Sequence, residues 1–217
     1  MSPDVVEPVL LVLSAPTGGG KTTVAHRLIE TDGRIRFSVS HTTRAPRPGE
    51  IDGTDYHFVE ESEFRKIASR GEFLEWAEVH GHLYGTHSLE LEAAGAEGKD
   101  LLLDIDVQGG LQVREKADGA VLVFLIPPSL DTLLERIGGR KRESGFDLVK
   151  RIGTGAKELE MAKEYDYNVV NRDLSDTVKA VSEILDVSRM RACRSFELRS
   201  RLEVEMRSWL RSKNVHR

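Results

Sequence analysis

Val9-Leu10-Leu11-Val12-Leu13-Ser14-Ala15-Pro16-Thr17-Gly18-Gly19-Gly20-Lys21-Thr22 is an unbroken apolar run that passes into a glycine-rich turn and then into a lysine and a hydroxyl residue. The helical spacing of Val24, Leu28 and Ile29 follows at once, so the order is strand, loop, helix. Two later runs, Leu101-Leu102-Leu103 and Val121-Leu122-Val123-Phe124-Leu125-Ile126, also lack alternation, as parallel strands covered on both faces do. Val169-Val170 adds a shorter strand candidate.

Ala15-Pro16-Thr17-Gly18-Gly19-Gly20-Lys21-Thr22 sits where a Walker A phosphate loop must sit, between a core strand and a helix. Glycines let successive backbone N–H groups turn inward around phosphate oxygens, and the helix adds its positive end. At this spacing Lys21 reaches β- and γ-phosphates, the Thr22 hydroxyl ligates Mg²⁺, and Thr23 meets the α-phosphate. The first position of the usual pattern is Ala15 rather than glycine. Asp104 ends the strand after Leu103, where an acid near the metal belongs, and Asp106 follows on the same side by alternation. Asp106 has a second reading as the cap of the next helix.

Between the first two core strands the texture changes. Phe37-Val39, Tyr56-Phe58 and Phe73 to Val79 alternate between turns at Pro46 to Gly49, Asp52-Gly53 and Gly81, which reads as a small antiparallel insertion. Ser88 is expected to cap a helix through about Glu97. A helix from about Ser129, the basic stretch Gly138 to Gly145 and a helix from about Asp147 read as a mobile lid. The expected fold is α/β, a P-loop-type parallel sheet flanked by helices, carrying an inserted antiparallel β subdomain and a helical lid. One domain spans the chain, with core 1–37, 98–128 and 166–217, insertion 38–97 and lid 129–165.

The insertion indicates what receives phosphate. Arg44 and Arg47 stand three residues apart around a proline-stiffened turn and suit a phosphate monoester, with Tyr56 and Tyr84 as added hydroxyl donors. Guanine presents N1–H and N2–H₂ donors beside an O6 acceptor, so it calls for a carboxylate beside a hydroxyl, as Glu75 and Ser40 would supply. Adenine reverses that edge, and a buried mismatch of this kind rejects it.

Ser14 to Thr22, Ser40 to Glu50, Phe73-Leu74-Glu75, Tyr84-Gly85-Thr86 and Leu103 to Gly109 together resemble guanylate kinases, in the family's order across residues 9–175. The resemblance implies phosphoryl transfer from Mg²⁺-ATP to GMP, and to dGMP, with closure around both nucleotides. It assigns the GMP phosphate to Arg44, Arg47, Tyr56 and Tyr84, and the base to Ser40, Glu75, Thr86 and Asp106. It also assigns Arg136, Arg140 and Arg151 to the transferring phosphoryl group and Asn171 to adenine. Departures lie in Gly139-Arg140-Lys141-Arg142-Glu143, where the family shows Gly-Arg-Gly, in His82-Leu83-Tyr84-Gly85 and in Asn171-Arg172-Asp173. The alternative is a non-catalytic guanylate-kinase-like module that binds a phosphorylated partner, against which the retained Lys21 and Thr22 argue.

Bulk properties agree with a globular enzyme. The 217 residues are enough for one α/β core, and 39% hydrophobic against 31% charged residues leaves no disordered tract. The net charge is −5, yet residues 188–217 carry nine Lys/Arg against three acids, so residues 1–187 stand at −11 and offer no general nucleic-acid surface. Leu198, Leu202, Met206, Trp209 and Leu210 form a stripe at helical spacing, read first as packing and second as a homo-oligomer contact; the tail's arginines also permit contact with RNA or anionic lipid. No membrane segment or basic leader precedes Val9, and the single Cys193 fits a reducing compartment, so a cytoplasmic location is expected. His80, His82 and His87 cluster in sequence, but no cysteine or further ligand accompanies them, and a structural or surface role is expected over zinc.

Overall fold

The computed structural model describes residues 7–79, 81–138 and 145–214. In chain order the elements are β1 (Leu10–Ser14), α1 (Lys21–Thr31), β2 (Ile35–Phe37), β3 (His41–Thr42), β4 (His57–Phe58), α2 (Glu61–Ser69), β5 (Phe73–Val79) and β6 (His82–His87). Then come α3 (Leu89–Glu97), β7 (Asp100–Asp104), α4 (Val107–Lys116), β8 (Val121–Ile126), α5 (Leu130–Gly138), α6 (Gly145–Glu160), β9 (Tyr167–Val170), α7 (Leu174–Arg189) and α8 (Phe196–Asn214).

The apolar run around Leu11 becomes the central strand of a five-stranded parallel sheet, ordered β2-β7-β1-β8-β9. Every residue of β1 is buried, because helices cover both faces. Leu11 and Leu13 pack with Val24 and Leu28 of α1 and Val181 and Leu185 of α7. Leu10 and Val12 point the other way, toward Leu101, Leu103, Phe124, Ala94 of α3 and Val113 of α4. Each fully buried Leu or Val contributes about 1.5–3 kcal/mol over exposure, so this strand alone anchors both layers.

A second sheet, ordered β4-β3-β6-β5, is antiparallel at β3–β6 and β5–β6 but parallel at β3–β4. Its own core is Phe64 and Ile67 of α2 against Phe73 and Leu83, with the Phe64 and Phe73 rings 4.5 Å apart. That helix was not anticipated in the insertion. Its apolar residues are too few for its period to show, and only the sheet beneath gives them a partner.

Several local expectations are corrected. Phe37 belongs to β2 and pairs with Leu102 in the parallel sheet, not with the insertion. Ser88 makes no side-chain cap; His87 Nδ1 instead accepts from Leu89 N at 3.1 Å at the start of α3. Beyond the half-buried Leu198, the stripe on α8 finds no cover among the described residues: Leu202, Met206, Trp209 and Leu210 are 46, 66, 61 and 54% exposed. Arg194, just before it, is buried and donates to the carbonyls of Ser188, Glu7, Pro8 and Gly119, so the body closes at that residue and α8 extends beyond it.

Candidate active site

The phosphate loop is shaped by glycine where no other residue fits. Gly18 and Gly20 have φ of 86° and 87°, and Gly20 is the residue preceding α1. A Cβ on Gly20 would stand 2.7 Å from Asn171 Nδ2. Gly19 N donates to Pro16 O at 2.7 Å, which tightens the turn so that α1 opens at Lys21 with its positive end toward the loop.

Parallel register then delivers the acid. Leu13 of β1 lies beside Asp104 of β7, so the carboxylate emerges at the strand end next to the loop. Thr22 Oγ1 donates to Asp104 Oδ2 at 2.7 Å, and Lys21 Nζ lies 2.9 Å from Oδ1. That ion pair falls short of hydrogen-bond geometry, which leaves Oδ1 buried without a hydrogen-bond partner. Hydroxyl and carboxylate oxygens grouped beside a phosphate loop are hard donors of the kind Mg²⁺ prefers.

On the far side of the loop a cavity of about 240 Å³ is lined by Gly18, Gly20, Thr23, Val24, Arg136, Asn171 and Leu174. Asn171, at the end of β9, is buried with both polar ends engaged: Nδ2 donates to Gly19 O at 2.7 Å and Oδ1 accepts from Thr177 Oγ1 at 3.1 Å. Arg136 of α5 donates to Gly19 O at 3.4 Å and to Asn171 O at 3.1 Å. Both side chains therefore brace the loop from behind as well as bordering the cavity. Arg151 lies half-buried on α6. Arg140, with Lys141, Arg142 and His80, lies outside the described residues.

A second cavity, about 260 Å³, is lined by Ser40, Tyr56, Glu75, Ala77, Val79, Tyr84, Asp104, Ile105 and Asp106. Asp104 forms part of its wall, so this cavity meets the phosphate loop at the same carboxylate. A bulge between Phe73 and Glu75 interrupts the pairing of β5 with β6, and Glu75 comes to lie opposite Thr86. Phe73, Leu74 and Glu75 are consequently all buried, which strict alternation forbids. Thr86 Oγ1 donates to Glu75 Oε1 at 2.7 Å, and Ser40 Oγ lies 3.3 Å from Thr86 Oγ1. Burial pushes the Glu75 carboxyl above its usual range, while the Thr86 hydrogen bond acts the other way. Asp106 caps α4 by accepting from Gly109 N at 2.8 Å, in keeping with the capping alternative.

The two arginines behave differently. Arg44 is held by Glu50 through a bidentate pair at 2.9 Å on each side, donates from Nε to Tyr84 OH at 3.3 Å, and stands over the Tyr56 ring at 5.4 Å. The Glu50 carboxylate raises the pKa of this guanidinium, keeping it charged. Arg47 has an exposed side chain, and its backbone N donates to Glu50 Oε2 at 2.7 Å. Burial raises the Tyr56 phenol. His41 stands among two other imidazoles, those of His87 and His57, whose ring centroids lie 5.7 Å and 4.7 Å from its own. Among the described residues no group of His, Cys, Asp and Glu is arranged to hold a metal by itself.

Sequence reasoning assigned nothing to Glu50, Glu158 or Gln112. Glu50 closes the arginine turn and only its position in that run hinted at a partner. Gln112 on α4 accepts from Trp76 N and donates to Trp76 O, extending the edge of β5. Glu158 Oε2 accepts from Thr17 N at 3.2 Å, and its sole sequence signal is a seven-residue spacing from Arg151.

A profile described as guanylate kinase matches residues 7–188. A guanylate kinase of Geobacter metallireducens is 44% identical over 192 residues, 88% of this chain and 93% of its own length. One of Thermotoga maritima is 44% identical over 200 residues, 92% of this chain and 97% of its own. The crystal structure of guanylate kinase from Anaplasma phagocytophilum superposes with a TM-score of 0.71 at 37% identity, covering 91% of this chain and 96% of that one. A phosphate loop alone is common to many enzymes, but here the likeness runs through both sheets and the helices between them, and the chain belongs to the guanylate kinase family.

Proposed function

We propose that this chain catalyses reversible transfer of the γ-phosphoryl group of ATP to GMP, giving ADP and GDP. The observation that carries the proposal is that Asp104, which accepts from Thr22 and pairs with Lys21 of the phosphate loop, also forms part of the wall of the cavity lined by Ser40 and Glu75. The loop from Ala15 to Gly20 cradles the donor phosphates with backbone N–H groups such as those of Gly18 and Gly20, while Pro16 O and Glu158 Oε2 take the N–H groups of Gly19 and Thr17 and hold the turn in shape. Lys21 reaches the β- and γ-phosphates, Thr23 the α-phosphate and Asn171 the adenine end. Arg44, Arg47, Tyr56 and Tyr84 hold the acceptor phosphate; Ser40, Glu75, Thr86 and Asp106 read the base. Because those contacts address phosphate and base, dGMP is accepted as well.

Phosphoryl transfer needs alignment and charge neutralisation more than a covalent step. Lys21, Arg136, Arg140 and Arg151 offset charge on the equatorial oxygens while the insertion, residues 38–97, and the lid, residues 129–165, exclude water. Thr22 and Asp104 would hold Mg²⁺, partly through water, and the bound ion supplies further neutralisation of the phosphate oxygens. An intact loop with Lys21 and Thr22 leaves the non-catalytic alternative without support. No described helix is long and apolar enough to cross a membrane. Dependence on ATP and a lone, exposed Cys193 suit the cytoplasm. The exposed stripe of α8, which lines a groove of about 770 Å³ remote from the chemistry, is the surface through which copies of the chain would associate.

Incubation with Mg-ATP and GMP, dGMP, AMP, CMP or UMP, with ADP formation as readout, tests the reaction. GMP and dGMP should turn over, and Lys21→Met should lower the rate at least ~100-fold, the scale of losing one preorganised charge in a transition state. GMP turnover no faster than that of Lys21→Met would overturn the reading.

A further inference from the structure

Glu158 has no role in the reaction described so far, yet it connects α6 to the phosphate loop. Its Oε2 accepts from the backbone N of Thr17 at 3.2 Å, across 141 residues of chain. Three residues earlier, buried Gly155 lies against the same turn, where a Cβ would stand 3.5 Å from Pro16 Cβ. Arg151, Gly155 and Glu158 are spaced i, i+4 and i+7, so one face of α6 carries all three. The Glu158 carboxyl is half-buried; burial pushes it upward, Asp106 adds to that, and Lys21 and the Thr17 bond oppose it. It therefore feels the charges at the centre of the site.

We propose that Glu158 is a positioning residue: by accepting the Thr17 N–H it fixes the C-terminal half of α6 to the phosphate loop, and so sets where Arg151 meets the transferring phosphoryl group. This inference rests on the proposed reaction and on the role given there to Arg151. Two helical turns, about 10.5 Å, separate Glu158 from Arg151. Over that length a small rotation about the Pro16–Gly155 contact moves the guanidinium by an ångström or more, and misplacement on that scale costs as much as 100-fold in rate. Thr17 is a backbone donor, so the partner's identity is insensitive to side chains in the loop. The acceptor on α6 is the only variable element of the contact.

The test is steady-state kinetics of the full chain with Glu158→Ala and Glu158→Gln, alone and combined with Arg151→Ala. Glu158→Ala is expected to lower kcat roughly tenfold or more while KM for GMP stays within about threefold. Glu158→Gln keeps an oxygen that accepts the Thr17 N–H and should restore most of the rate. In the Arg151→Ala background, Glu158→Ala should cost little more, because both changes remove the same aligned contact. Should Glu158→Ala fail to fold, Glu158→Met keeps the side chain's length without an acceptor and gives the same readout. Unchanged kcat in Glu158→Ala, equal loss in Glu158→Gln, a change confined to KM for GMP, or full additivity with Arg151→Ala would each overturn the inference. Absence of GMP phosphorylation by the unmodified chain would instead strike the proposed reaction and this inference with it.

Discussion

Glu75 shows how much a single side chain is asked to do. Its position beside Leu74 was readable in sequence, and so was the kind of chemistry a buried carboxylate brings to guanine. The bulge that turns it toward Thr86 was not, since a one-residue irregularity depends on how β5 meets β6. Removing it as Glu75→Ala should cost about 1.5–3 kcal/mol, roughly 10- to 100-fold in kcat/KM for GMP, as for a hydrogen bond to a charged group, while AMP turnover should not fall. Kinetics with both nucleotides measures this; equal loss on GMP and AMP would contradict base reading. Gly20 makes a complementary point. Glycine in the loop was expected, but the nearness of Asn171 was invisible, because 151 residues separate the two. Gly20→Ala places a side chain at a φ of 87° and 2.7 Å from Asn171 Nδ2. It should destabilise by about 1–3 kcal/mol. Calorimetry should register this as a fall of roughly 2–12 °C in Tm, together with weaker ATP binding.

At the scale of elements, β3, β4 and β6 bring His41, His57 and His87 together, and acid should be felt there first. Burial and the two neighbouring imidazoles lower the pKa of His41 from 6.5 to about 4, with Asp52 opposing. Glu90 lies 4.0 Å from His57 and Glu72 3.7 Å from His87, so those two rings have carboxylates to face when protonated. His41 Nδ1 is buried without a hydrogen bond. Between pH 6.5 and about 4 the unfolded chain binds a proton that the folded His41 refuses, so the unfolded state binds more protons and stability rises with pH. Stability is therefore lost as pH falls through that window. Melting curves at pH 7 and pH 5 should show a smaller drop for His41→Asn than for the unmodified chain. An equal drop would place the acid sensitivity elsewhere. The sequence did not show this grouping, since adjacency along a hairpin, as of His82 and His87, does not reveal which strand lies alongside.

For the whole molecule, the boundary between a packed body and a projecting helix falls at Arg194. That side chain ties the carbonyls of Ser188, Glu7, Pro8 and Gly119, and Arg194→Ala should cost on the order of 3 kcal/mol by leaving buried acceptors unpaired. A chain ending at Ser195 loses only α8, whose apolar residues are largely exposed, and should keep activity within roughly twofold of full length. Light scattering on the two forms would register any association through α8; a large loss of activity on truncation would mean that the helix belongs to the body. The apolar runs, the phosphate loop and the arginine turn were legible in the sequence alone, because each is a local solution to a local demand: burial on both faces, close approach of backbone to phosphate, a paired fork for an anion. Order along the chain was enough to indicate the parallel sheet and the inserted one. Only tertiary structure decided that Asp104 pairs with Lys21, that Glu75 turns toward Thr86, that Glu158 reaches Thr17 and that most of the stripe on α8 finds no cover among the described residues. Those outcomes depend on register and packing between segments far apart in sequence, where no local pattern records which side chain arrives opposite which.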